Sequence, residues 1–93
     1  MRLQHATPIG NLPSILAGGI SPQLSECKRP LVWLVTPSRT RWAMRHIRRR
    51  HRHRHVAVIE VNVPRQWLTR RRKGLWTCDR PIPTERIRLM EVR

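Results

Sequence analysis

The sequence predicts a small α+β domain whose two helices come early in the chain and whose strands come mostly late. Apolar residues repeat at helical spacing between Asn11 and Gly19 and again at 39–50, whereas five other segments carry apolar runs of strand length. The predicted order is β-α-β-α-β-β-β, which favours helices packed on one sheet over a doubly wound arrangement. With 93 residues and no flexible linker, residues 1–93 are predicted to form a single domain.

A short strand and a capped helix are predicted at the start of the chain. His5 and Thr7 lie two residues apart, so their side chains are expected to share one face of the strand. Asn11 is a residue type that often caps a helix at its N-terminus. Gly18 or Gly19 is expected to end this helix in the left-handed conformation.

A buried strand and a second helix are predicted next. Residues 31–35 form a continuous apolar run, which is typical of a strand buried on both faces. Ser38 follows as a candidate cap for a helix over residues 39–50. The residues predicted to face the core from this helix are Trp42, Ala43, His46 and Ile47.

Strands and turns are predicted for the rest of the chain. Residues 56–63 alternate between a strongly apolar face and a mixed face, and a proline ends the strand. A short turn or helical piece is predicted around Trp67, followed by an exposed basic turn at 70–74. Short strands are predicted at 75–78 and 87–92.

The formal charge of +15 is the strongest signal in the composition. Twenty Lys and Arg residues accompany only five Asp and Glu residues, so the chain is expected to bind a polyanion, with nucleic acid first and an acidic protein second. No apolar run is long enough to span a bilayer and no signal-peptide pattern is present, so no membrane partner and a cytoplasmic location are expected. Cys27 and Cys78 are expected to be reduced thiols, with no metal site.

A block of arginine and histidine residues at 45–55 is expected to carry most of the polyanion contacts. Cations at a helix C-terminus are also favoured by the helix dipole, so a merely solvated helix end is the alternative. His51, His53 and His55 are expected to add positive charge as the pH falls toward about 6. The predicted nucleic-acid contacts are Arg48, Arg49, Arg50, Arg52 and Arg54, assisted by Arg70, Arg71, Arg72 and Lys73.

Four short motifs follow one another along the chain. They are His5-Ala6-Thr7 with the helix after it, residues 32–38 followed by Ala43, residues 58–64, and Ile82-Pro83 shortly before the last strand. Together they resemble the ADP-ribosyltransferase fold over nearly the whole chain. The resemblance implies a small mixed, split β-sheet with two helices.

The same resemblance implies a binding site for NAD. In that family arrangement His5 would hydrogen-bond a ribose hydroxyl, the backbone of Ala6 would pair with the nicotinamide amide, and Thr7 would support His5. Trp33 and His46 would enclose the nicotinamide ring in a cleft between His5 and Trp33. The alternative for Trp33 is an ordinary place in the core.

The catalytic acid is where this chain departs from the resemblance. Transferases of this fold usually carry a Glu at the start of the penultimate or last strand, where it stabilises charge in the transition state. The matching position here is Leu75 or Trp76. Glu60 and Glu85 are the substitutes, and His5 completes the set of candidate catalytic residues.

Two hypotheses of different classes follow for the function. One is an ADP-ribosyltransferase-like protein that binds NAD or a related nucleotide and modifies a nucleic acid or protein, as phage, toxin and defence proteins of this kind do. RNA 2′-phosphotransferase, which shares the fold and relies on His and Arg residues, is a variant of this hypothesis. The other is a non-catalytic, strongly basic module that binds nucleic acid or an acidic protein.

Overall fold

Six strands form an antiparallel sheet in the computed structural model, which describes residues 1–24, 30–51 and 55–93. The strands are β1 Arg2–Pro8, β2 Val32–Val35, β3 Val56–Asn62, β4 Leu68–Arg72, β5 Leu75–Cys78 and β6 Ile87–Val92. The helices are α1 Leu12–Gly18 and α2 Thr40–His51. The strands lie side by side in the order β4-β5-β2-β1-β3-β6, and one helix packs on each face of the sheet.

The predicted α+β class with two helices is confirmed, and two details of the prediction are wrong. All strand pairings among the described residues are antiparallel, so the sheet is not mixed. Most of the predicted basic turn is strand β4, and only Lys73 and Gly74 form the turn into β5. Arginine suits this outer strand because charged side chains on a sheet edge discourage pairing with other chains.

A weak seam divides the sheet between β1 and β2. β1 pairs with β3 along its whole length, from Arg2 opposite Asn62 to Pro8 opposite Val56. By contrast, Gln4 opposite Val35 is the one registered pair between β1 and β2 in the described chain. The six strands therefore form one continuous sheet in which a short contact joins two three-stranded halves, β4-β5-β2 and β1-β3-β6.

Two apolar layers lie on the two faces of the sheet. Leu3, Leu34 and Ile59 are fully buried in the layer under α1, which contributes Ile15. The second layer lies under α2 and includes Val58, which was predicted to lie on a mixed face of β3. That strand is buried on both faces because helices pack on both sides of the sheet.

Helix α2 is rotated relative to its predicted orientation. The inward-facing residues are Thr40, Ala43, Met44 and Ile47. Their spacing is that of one helical face, and the Thr40 hydroxyl donates to the Gln4 side chain on β1. Trp42 and His46, which were expected to face the core, are exposed instead.

The start of α1 also differs from its prediction. The Asn11 side chain makes no capping bond to the helix; its Nδ2 donates to Thr7 Oγ1 at 3.0 Å. The helix ends at Gly19, whose φ of 83° is positive as expected, but its ψ of −171° lies outside the left-handed helical conformation. The Gly19 N–H bonds to the Ile15 carbonyl. Gly19 then leads into a short antiparallel bridge between Ile20 and Ile82.

Replacing Gly19 with Ala is expected to destabilise the fold by about 1–3 kcal/mol or more. An L-residue is strained at this φ, and the added Cβ would run into the carbonyl oxygen of Ile82. Gly18→Ala is the matched control, because a Cβ there meets open space and Ala favours the helix. Urea unfolding of the two variants measures the difference, and equal stabilities would contradict this account of Gly19.

Candidate nucleic-acid interface

The residues expected to bind NAD lie on both faces of the sheet. His5 is registered opposite Ile59 and Thr7 opposite Ala57, on the face that carries α1. Ala6 and Trp33 belong to the layer under α2. The expected cleft between the His5 and Trp33 rings is therefore wrong, because alternation along each strand sends these two side chains to opposite faces.

His5 and Trp33 are nevertheless joined by a hydrogen bond from the His5 side chain to the Trp33 backbone, at the seam between β1 and β2. His5 Nδ1 donates to the Trp33 carbonyl at 2.9 Å, and because a carbonyl only accepts, Nδ1 carries the proton. Burial lowers the pKa of His5, and the hydrogen bond to Trp33 offsets part of this effect. His5 is therefore held neutral near pH 7, with its Nε2 unprotonated.

The two candidate acids lie together but on the other side of the sheet from His5. Glu60 and Glu85 line an open depression of about 380 Å³ with Arg86 and Arg88. Glu60 faces the α2 side of β3 and accepts a bond from Arg88 Nη2 at 3.4 Å. The three expected catalytic residues are thus not brought into one site, and arginines accompany the acids in their depression.

A shallow basic groove lies between the start of α2 and the β4–β5 turn. Its lining includes Arg39, Trp42, Arg72, Lys73, Gly74 and Leu75, and we call it the Trp42 groove. The volume is about 90 Å³, far below the several hundred Å³ of an enclosed ligand pocket. The groove therefore suits contact with part of a larger molecule rather than enclosure of a small one.

Trp42 is an exposed side chain whose ring stacks on a neighbouring ring. It stacks on His46, one helical turn away, with ring centroids 5.8 Å apart and planes inclined by 18°. The indole remains 43% exposed. An exposed indole is unusual in a small domain, where tryptophan normally packs inside or serves an interface.

The β4–β5 turn is fixed against the residues that lead into α2. Thr36 N donates to the Gly74 carbonyl at 3.1 Å. Gly74 has a φ of 79°, and a Cβ built on it would lie 2.7 Å from Arg39 Cγ. Only glycine fits this turn without strain, because its φ is positive and a Cβ would meet the Arg39 side chain.

The predicted basic residues have different surroundings. Arg70, Arg71, Arg72 and Lys73 are exposed, and Arg71 Nε donates to Thr77 Oγ1 at 2.9 Å. In α2, Arg49 and Arg50 are exposed, whereas Arg48 is half-buried and donates to the Arg93 carbonyl at 3.1 Å. Arg52 and Arg54 lie outside the described residues.

The sequence prediction of contacts did not include Trp42. The signal that finds it is the spacing of Thr40, Ala43 and Met44, which directs Trp42 outward. A second signal is the distribution of acids, because the chain has none from 27 to 59 or from 61 to 78. The elements that build the groove therefore contain no carboxylate to neutralise it.

No protein-family model matches the chain, and no curated protein is significantly similar to it in sequence.

Within the described residues no group of His, Cys, Asp and Glu side chains is arranged to hold a metal ion. In the same part of the chain, neither helix is long and apolar enough to cross a membrane.

The lowered pKa of His5 predicts a specific loss of stability in acid. Unfolded His5 titrates near pH 6.5, so below that pH the unfolded chain binds more protons than the folded chain. The free energy of unfolding is expected to fall by up to about 1.4 kcal/mol per pH unit from this residue, with no loss above about pH 7. Urea unfolding between about pH 7.5 and about pH 5.5 measures the effect.

His5→Asn is the control for this prediction. Its amide can donate to the Trp33 carbonyl as Nδ1 does, but it does not titrate. The variant is expected to lose less stability than the wild type over the same pH range. Identical pH profiles would show that His5 is not the group responsible.

Proposed function

We propose that this chain is a non-catalytic nucleic-acid-binding domain that contacts its ligand through the Trp42 groove. The observation that carries the proposal is an exposed, oriented indole lining one groove with Arg39, Arg72 and Lys73. Basic side chains around an exposed aromatic ring are what nucleic-acid-binding surfaces use for phosphates and bases. The net charge of +15 adds long-range attraction to a polyanion.

The cations of the groove are suited to phosphate rather than to base edges. Arginine presents a planar fork of donors that matches phosphate oxygens. Phosphate contacts fix position on the nucleic acid and carry no sequence information. The proposed binding is therefore largely independent of sequence, and the other exposed arginines of α2 and β4 extend it beyond the groove.

Salt titration with a matched pair of variants tests this proposal. Arg72→Gln with Lys73→Gln removes two groove cations. Arg88→Gln with Arg93→Gln removes the same charge from β6 and the residue that follows it, at the opposite edge of the sheet. The groove variant is expected to reduce the slope of log affinity against log salt by roughly 1.4–1.8. The β6 variant is expected to leave the slope nearly unchanged.

Fluorescence anisotropy with labelled oligonucleotides measures both slopes. Equal reductions in the two variants would mean that the charge acts diffusely and that the groove is not the binding surface. Absence of any salt-dependent binding by the wild type would contradict nucleic-acid binding altogether. Preferential binding of an acidic protein would favour that partner instead.

An NAD-dependent ADP-ribosyl or 2′-phospho transferase is the second candidate. The observation that favours it is the hydrogen bond from His5 to the Trp33 carbonyl, which joins two of the family-like motifs although their rings lie on opposite faces of the sheet. Leu75, at a position where the resemblance expects the catalytic Glu, lines the Trp42 groove. In this hypothesis the chain binds NAD or a related nucleotide with little acid-dependent turnover.

Calorimetric titration with NAD, with and without RNA or DNA, tests the second candidate. His5→Ala is expected to weaken any NAD binding, whereas Glu60→Gln and Glu85→Gln are expected to leave NAD turnover nearly unchanged. Loss of a group that stabilises transition-state charge costs about a hundredfold or more. A loss of that size in Glu85→Gln would identify Glu85 as the acid, and no heat with NAD would contradict nucleotide binding.

A cytoplasmic location belongs to the same proposal. Cys78 is a free thiol buried in the core, as suits a reducing compartment, and cellular RNA and DNA are accessible there. Burial raises the pKa of the Cys78 thiol, so it stays protonated and inert near pH 7.

A further inference from the structure

We infer that the Trp42 groove takes a single-stranded polynucleotide, one base of which stacks on the indole of Trp42. This inference rests on the proposed function and specifies the class of ligand at the same site. It depends on three observations: the orientation of the ring, the shallow shape of the groove, and the position of the cations around it.

The Trp42 ring is presented as a stacking platform. His46 lies nearly parallel to it at 5.8 Å, so the pair already has the geometry of a two-ring stack. Because 43% of Trp42 remains exposed, a further planar group has surface on which to pack. A nucleobase is such a group, and every base offers a π-face whatever its identity.

The bases of a double helix are not available to stack on the Trp42 ring. In a double helix the faces of the bases are covered by their neighbours, and only base edges and phosphates are accessible. A base of a duplex can stack on a protein ring only after it has been unstacked or flipped out of the helix, which costs a few kcal/mol. A single strand offers unstacked bases without that cost.

The cationic side chains of the groove lie around the Trp42 ring, in position to contact the phosphates of a single strand. Arg39 belongs to the segment before α2, whereas Arg72 ends β4 and Lys73 lies in the β4–β5 turn, so both walls of the groove carry cations. A volume of about 90 Å³ admits a flat group at the ring while the phosphates remain at the surface. The bond from Thr36 N to the Gly74 carbonyl connects the two walls through the backbone.

Binding of oligothymidylate, oligouridylate and a mixed-sequence duplex to Trp42→Ala and Trp42→Phe tests the inference. Trp42→Ala is expected to bind both single strands on the order of ten- to a hundredfold more weakly, with duplex affinity and salt slope unchanged. Trp42→Phe keeps a ring and is expected to recover most of the affinity. Leu16→Ala, at an exposed apolar residue of α1, is the control for loss of exposed apolar surface.

The outcomes separate this inference from the proposed function. Salt-dependent binding that Trp42→Ala leaves unchanged would overturn stacking and leave nucleic-acid binding in place. Equal weakening on single strands and duplex would also overturn it, because the ring would then act on a feature common to both. Absence of binding by the wild type would overturn both proposals. Thermal unfolding confirms that each variant is folded, as expected for an exposed position.

Discussion

The full-length pairing of β1 with β3 is the constraint on which the rest of the structure depends. It fixes which face each side chain of these strands takes, since a shift of one residue would send the whole apolar set to the other side. His5 is thereby assigned to the α1 face with Leu3, and Glu60 to the α2 face with Val58. Helix α2 must then cover the second face, and this leaves Trp42 on the outside.

Much of the fold was predictable, because short apolar runs and turn residues are local signals. The central strands and both helices follow from periodicity and from breakers such as Gly19. β4 was missed because its arginines resemble an exposed turn, and the pairing that makes them a strand is contributed by β5. The rotation of α2 was missed because a tryptophan counts as apolar in any pattern, and only the sheet decides which stripe is buried.

The candidate site was less predictable than the fold, because it combines residues that are distant in sequence. Charge indicated the kind of partner, and Arg72 and Lys73 were among the expected contacts. Nothing local brings the β4–β5 turn to the start of α2; that contact depends on a backbone bond from Thr36 and on the lack of a side chain at Gly74. The expected grouping of His5 with Trp33 failed because residue types alone do not specify the register between strands.

The Trp42 groove combines residues from elements on both sides of the seam between β1 and β2. Helix α2 packs on β1 and β3, in one half of the sheet, whereas Arg72 and Lys73 come from the hairpin of the other half. The distance between the two walls of the groove therefore depends on how the β4-β5-β2 half of the sheet lies against the β1-β3-β6 half. The bond from Thr36 N to the Gly74 carbonyl lies within the β4-β5-β2 half, where it continues the β2–β5 pairing beyond Val35 and Leu75. A mutation in that ladder, far from any ligand, would therefore alter the spacing between the turn cations and Trp42.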